Sequence, residues 1–169
     1  LDDQNIIRPE VQQARQQGIL FDVGHGGGSF LFETAKQALA QDFLPDVIST
    51  DLHSGSLNSP VYSLPETASK LLNLGIELPD IVRQTTTAAA AAIGREDHLG
   101  TLKVDTVADL AAFEIQEGEF QFHDVRDNLE VGHKNIQPIL TVSAGKLYRP
   151  DELKEELEET FARARQMRA

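Results

Sequence analysis

The chain has 169 residues, of which 40% are hydrophobic and 25% charged, and it carries a net charge of −12. That length suits one domain or one and a half. The excess of acid excludes a nucleic-acid surface or an anionic-membrane face, because both need clustered Lys and Arg. Cysteine is absent, which removes disulfides and thiolate zinc sites, so any metal would need His, Asp, Glu or a modified Lys. No apolar run approaches the ~20 residues of a membrane-spanning helix, and no signal peptide is visible, so a cytoplasmic protein is expected. The only methionine is Met167 and the chain opens at Leu1, which points to a piece of something longer.

In chain order, Pro9 sits where a helix can begin, and Glu10 to Gln17 read as a short helix closed by Gly18. Ile19 to Val23 form an apolar run bounded by glycine, which predicts a buried strand. A glycine-rich loop comes next. Ser29 is placed to cap a helix over Phe30 to Gln41, with Leu31, Ala35, Ala38 and Leu39 at helical spacing. The stretch "PDVIST", 45–50, is the next strand and ends at Asp51. Strand, loop, helix, strand is the grammar of a parallel sheet, and it puts both the glycine loop and Asp51 at the carboxyl ends of strands. Residues 52–62 read as a polar loop. Ser63 to Glu66 fit a capping box with Pro65 in the first turn, and the helix stops at Gly75. A second helix covers Pro79 to Gln84, and "TAAAAAIG" makes a third, closed by Gly94. From Leu99 to Leu147 the grammar changes to short strands, "TLKV", "ADLAAFEI", "FQFHDV" and "IQPILTVSAGKL". The tail from Pro150 to Arg168 is amphipathic, with Leu153, Leu157, Phe161 and Ala164 on one stripe, and predicts a helix that packs on the domain or on a partner.

The stretch "FDVGHGGGSF", 21–30, is where chemistry concentrates. Its glycines invite comparison with a phosphate cradle, but G-x-G-x-x-G fails at Ser29 and no Walker sequence is present. "HGGG" also resembles an oxyanion loop, yet the nucleophile elbow G-x-S-x-G that such hydrolases need is missing. A metal site remains: His25 and Asp51 end neighbouring strands, and imidazole with carboxylate suits Zn²⁺ and similar ions. A hydrogen-bonded structural histidine is the competing reading.

"GILFDVGHGGGSF", "DFLPDVISTDLH", "SKLLNLGI", "TTTAAAAAIGRED" and "LGTLKVDTVADLAAFE" occur in an order that resembles the amidohydrolase superfamily, and more narrowly its deacetylase or dihydroorotase-like branch. The resemblance reaches to about Leu147. It implies an α/β fold: the C-terminal part of a TIM-like (β/α)8 barrel over 1–95, then a small β unit over 96–148 and a C-terminal helix over 149–169. It implies one or two divalent metals, zinc first, at the mouth of the barrel, with His25 as a metal ligand. Asp51 would touch the metal and serve as general base. Gly26, Gly27 and His53 are candidates for contact with a small-molecule substrate. His98, His123 and His133 read as structural or exposed. The family's first-strand His-x-His, its lysine and its fifth-strand histidine have no counterpart in this sequence. Asp105 stands where the family commonly has glycine, and "TTTAAAAA" lacks the usual Asn-Pro.

Two functions are expected. One is part of a metal-dependent hydrolase acting on an amide, cyclic amide or ester. The other is a catalytically incompetent piece that serves only in an oligomer or complex. In either case a homo-oligomer, or association with a preceding part of the chain, is expected, because a partial barrel leaves apolar edges open.

Overall fold

The computed structural model describes residues 1–53 and 63–150. Its first half is built on a βαβ unit. Helix α1, Pro9–Gln16, begins on its proline and ends in a Schellman turn, with Gly18 N–H bonded to Arg15 O and Ile19 N–H to Ala14 O. Gly18 takes φ +86°, which a side chain would oppose. Closing that turn uses Ile19, so the strand starts later than the apolar run predicts: β1 is Asp22–Gly24, and Ile19 and Leu20 are exposed. Arg15 ties the helix to the segment 43–46. Its guanidinium lies 3.7 Å from the Phe43 ring centre and bonds to Leu44 O and Asp46.

Helix α2, Phe32–Leu39, crosses over to β2, Val47–Ser49, which pairs parallel with β1 in the register Asp22 to Val47 and Gly24 to Ser49. The expected βαβ order is present. The expected cap is not: Ser29 does not cap α2. Phe32 N–H instead donates to the carboxylate of Asp124, 92 residues away, at 3.2 Å. The end of α2 forms another Schellman turn with Asp42 at φ +56° in the place usually held by glycine.

Helix α3, Leu64–Asn73, carries the predicted cap, Ser63 Oγ accepting from Glu66 N–H. Glu66 does not close the box in return; its carboxylate is paired with Lys70. Helices α4, Leu78–Thr85, and α5, Thr87–Ala92, come next as short pieces. Part of the predicted loop, 54–62, and all but the first residue of the predicted tail helix, 151–169, lie outside the described residues.

The second half is one antiparallel sheet in the order β3–β4–β5. "TLKV" is not a strand; Leu102 and Val104 are highly exposed in an irregular run. "ADLAAFEI" and "FQFHDV" merge into one strand, β3, Leu110–His123, paired with β4, Leu129–Ser143. Their ladder shifts register between Ala112 and Phe113, opposite Pro138, as a proline inside a strand demands. Strand β5, Lys146–Tyr148, returns through the two-residue turn Ala144-Gly145, both at positive φ. Asp105 adopts φ +68°, a conformation glycine takes without strain.

The two halves share a core. Phe30, Phe32, Ile48, Ala68, Leu71, Phe122 and Ile136 belong to one buried cluster. Polar bonds fix the docking of α3 on β4: Ser69 Oγ accepts from Ile136 N–H at 2.8 Å, and Asn73 Oδ1 accepts from His133 and Lys134 N–H.

Candidate active site at the strand ends

Two chain segments leave the carboxyl ends of β1 and β2 side by side, and a backbone bond joins them, Gly26 N–H to Thr50 O at 2.8 Å. Gly26 has φ +48°, and a Cβ there would stand 2.5 Å from Asp51 Oδ2. A Cβ on Gly24 would meet Asp51 Cβ at 3.4 Å. The Asp51 carboxylate therefore rests on bare backbone, in space that any side chain at position 26 would occupy. Asp51 itself takes φ +48° and stays exposed. Gly27 and Gly28 are exposed beyond it, and Ser29 N–H closes the loop on His25 O. His53 is exposed two residues past Asp51. Asp51 and Gly26 thus lie side by side beyond the carboxyl ends of the two strands.

His25 faces another way. Its side chain is fully buried and stacked on Phe30, ring centres 4.7 Å apart. Nδ1 lies 3.1 Å from Gly26 O, and Nε2 lies 3.0 Å from Nζ of Lys70. An ammonium only donates, so Nε2 accepts, and the ring proton sits on Nδ1 and donates to Gly26 O. Burial lowers the His25 pKa, the Gly26 bond opposes that shift, and the Lys70 charge adds to it. The neutral imidazole is the consistent form.

Lys70 is the buried hub. Its ammonium donates to Glu66 Oε1 at 3.0 Å, to His25 Nε2, and to the His123 carbonyl at 2.8 Å. Burial pushes the Lys70 pKa down, while Glu66, one helical turn away, and Asp124 hold it up. Asp124 is itself buried and accepts from the N–H groups of Phe32, Arg126 and Asn128 and from the Asn128 amide.

Glu66, Lys70 and Asp124 do not stand out in the motif reading. One signal was available: Lys70 interrupts the run Thr67 to Leu71, all of whose residues are buried, and a lysine inside a buried stripe needs partners. His123 contributes its carbonyl to the hub, while its ring bonds to Asp127 at 2.7 Å. His98 and His133 are exposed, as expected.

The donors at hand do not make up a metal centre. Among the described residues no group of three or more His, Asp and Glu side chains converges. Asp51 offers one carboxylate. Nε2 of His25 already bears an ammonium, so ligation through it requires Lys70 to withdraw.

The chain matches known proteins along most of its length. The model of the Amidohydrolase family matches residues 32–148. A deacetylase of Enterococcus faecalis is 37% identical over 146 residues, covering 84% of this chain and 38% of that protein. A deacetylase of Agrobacterium fabrum is 40% identical over 114 residues, 68% of this chain and 28% of that one. Among solved structures, an adenine deaminase superposes with TM-score 0.81 at 35% identity, covering 87% of this chain and 40% of that one. A dihydroorotase superposes with TM-score 0.74 at 31% identity, covering 84% and 39%. The chain thus spans well under half the length of these relatives. The match of the family model to 32–148, with deacetylases at this level of identity and with the mixed α/β fold just described, means that the chain belongs to the amidohydrolase family.

Proposed function

We propose that the chain is part of an enzyme that hydrolyses an amide, cyclic amide or ester bond of a small molecule, with Asp51 as the general base. The observation that carries this reading is the seat of Asp51. Its carboxylate is exposed at the end of β2 yet located by the bare backbone of Gly24 and Gly26. In this role Asp51 takes a proton from the attacking water as the water oxygen bonds to the carbonyl carbon. The same carboxyl then gives the proton to the leaving nitrogen or oxygen as its bond to carbon breaks. Gly27, exposed and without a side chain, lets substrate approach the backbone, and His53, exposed two residues past Asp51, is the further candidate for contact with it. The divalent ion implied by the family resemblance, zinc first, needs donors besides Asp51, so the steps assigned here are those of this chain's own groups.

The experiment is Asp51→Asn in the intact enzyme, assayed on N-acetylated amines, cyclic amides and simple esters. The expected loss in kcat is about 10²- to 10⁴-fold, with KM little changed. Full activity of a folded Asp51→Asn protein overturns the reading.

The second reading, a piece that is incompetent by itself, draws on the absence of a convergent ligand cluster among the described residues. It predicts no hydrolysis by residues 1–169 alone. We further propose that Ile19, Leu20, Leu102 and Val104, all exposed, are covered by another part of the chain or by a second copy. A cytoplasmic setting is proposed with it; among the described residues no helix is long and apolar enough to cross a membrane.

A further inference from the structure

We infer that Glu66, Lys70 and His25 act together as positioning residues that hold the Gly26 turn against Asp51. The assignment rests on the reading of Asp51 as the proton carrier.

Gly26 is gripped from three directions. Its N–H is bonded to Thr50 O, its carbonyl receives Nδ1–H of His25, and its Cα lies against the Asp51 carboxylate. The first grip belongs to the two strand ends. The second depends on His25 presenting Nδ1–H, and that tautomer is selected at the other side of the ring, where Nε2 accepts from Lys70. Lys70 is in turn aimed by Glu66 and by the His123 carbonyl. These contacts tie together α3, the end of β3 and the turn after β1. Stacking on Phe30 holds the ring plane. The position of an exposed carboxylate is thereby set by a buried ion pair on another element. A fixed general base gains from this, because small misplacements of a reacting group are costly. The same geometry assigns His25 a role other than metal ligation: both of its nitrogens are committed to the protein.

The test uses the intact protein with Glu66→Leu/Lys70→Met, which removes both members of the ion pair together. Two quantities are read: hydrogen exchange at the Gly26 amide, and kcat separately from KM. The Ile136 amide, bonded to Ser69 on the same helix, is the internal control for packing of α3. The expected result is exchange at Gly26 faster by roughly tenfold or more with Ile136 within about twofold. With it kcat falls about 10- to 100-fold at little-changed KM. Where the double variant does not fold, His25→Asn gives the same two readouts with the Glu66–Lys70 pair retained. Wild-type exchange at Gly26 in a folded variant overturns the inference. Faster exchange with unchanged kcat overturns the positioning role while leaving Asp51 to its own test, Asp51→Asn. Zinc bound stoichiometrically by the wild-type intact protein and lost from His25→Asn overturns the assignment, because His25 is then a ligand.

Discussion

Nζ of Lys70 stands 3.0 Å from Nε2 of His25, both side chains fully buried. A cation faces an imidazole here without repulsion because the ring is neutral and offers a lone pair. Glu66 supplies the countercharge from one turn earlier. Removing only the cation takes its ion-pair partner from the mostly buried Glu66 carboxylate and a donor from both His25 Nε2 and the His123 carbonyl. Lys70→Met is therefore expected to cost about 3–5 kcal/mol. Glu66→Leu/Lys70→Met is expected to recover much of that loss, since an ion pair replaced by apolar groups of similar volume is often near neutral. Urea unfolding of the two variants checks this. A double variant less stable than Lys70→Met would contradict it.

Gly26→Ala tests the close approach directly. The new Cβ would stand 2.5 Å from Asp51 Oδ2, on a backbone at φ +48°. The left-handed conformation alone costs about 1–2 kcal/mol for a residue with a Cβ. The carboxylate must also shift to make room. The expected outcome is a lowered midpoint in thermal unfolding and a fall in kcat larger than any change in KM. Gly28→Ala, with nothing within 4 Å of its added Cβ, is the control. It is expected to leave stability within about 0.5 kcal/mol of wild type.

Legibility in the sequence tracks the distance between interacting residues. The βαβ unit, the Schellman glycines and the Ser63 cap are readable because each depends on residues close in sequence. The Gly26–Asp51 juxtaposition is readable from the rule that strand ends gather sites at one edge. The extent of β3 is not, because the stretch around Gly118 looks like a break between two strands, whereas the long ladder absorbs it as a local irregularity. Nor is the cap of α2: Ser29 has the right chemistry at the right place, yet Asp124 from beyond β3 holds the first N–H. The same distance hides the Lys70 hub. Its partners come from positions 25, 66 and 123, and no local pattern joins them.

His25 sets one limb of the acid response. Its folded pKa lies below the ordinary 6.5, burial being the largest cause. Between the folded value and 6.5 the unfolded chain binds the proton and the folded chain does not, so stability rises with pH across that window. Acidification below about pH 6.5 is therefore expected to erode stability. His25→Gln, which cannot titrate, is expected to flatten that part of the curve. Urea unfolding between pH 4.5 and 7.5 measures the slope; equal slopes in the two proteins would contradict a neutral His25.

Asp124 sets the lower limb. Burial raises its pKa, but the hydrogen bonds from Asn128, Arg126 and Phe32 together outweigh burial and leave the pKa below 3.8. The folded state prefers the carboxylate more than the unfolded state does. Its contribution is full above about pH 3.8 and lost as pH falls through the folded value. Asp124→Asn keeps the size of the side chain but loses the charge that makes these bonds strong. It also weakens the cap on Phe32 N–H. The expected cost is about 1.5–3 kcal/mol at pH 7. That difference should narrow steadily below pH 3.8, where the wild-type carboxyl protonates as well. Unfolding of both proteins from pH 7 to pH 2 gives the test. A difference that stays constant to pH 2 would assign Asp124 a role in packing and leave its charge without effect on α2.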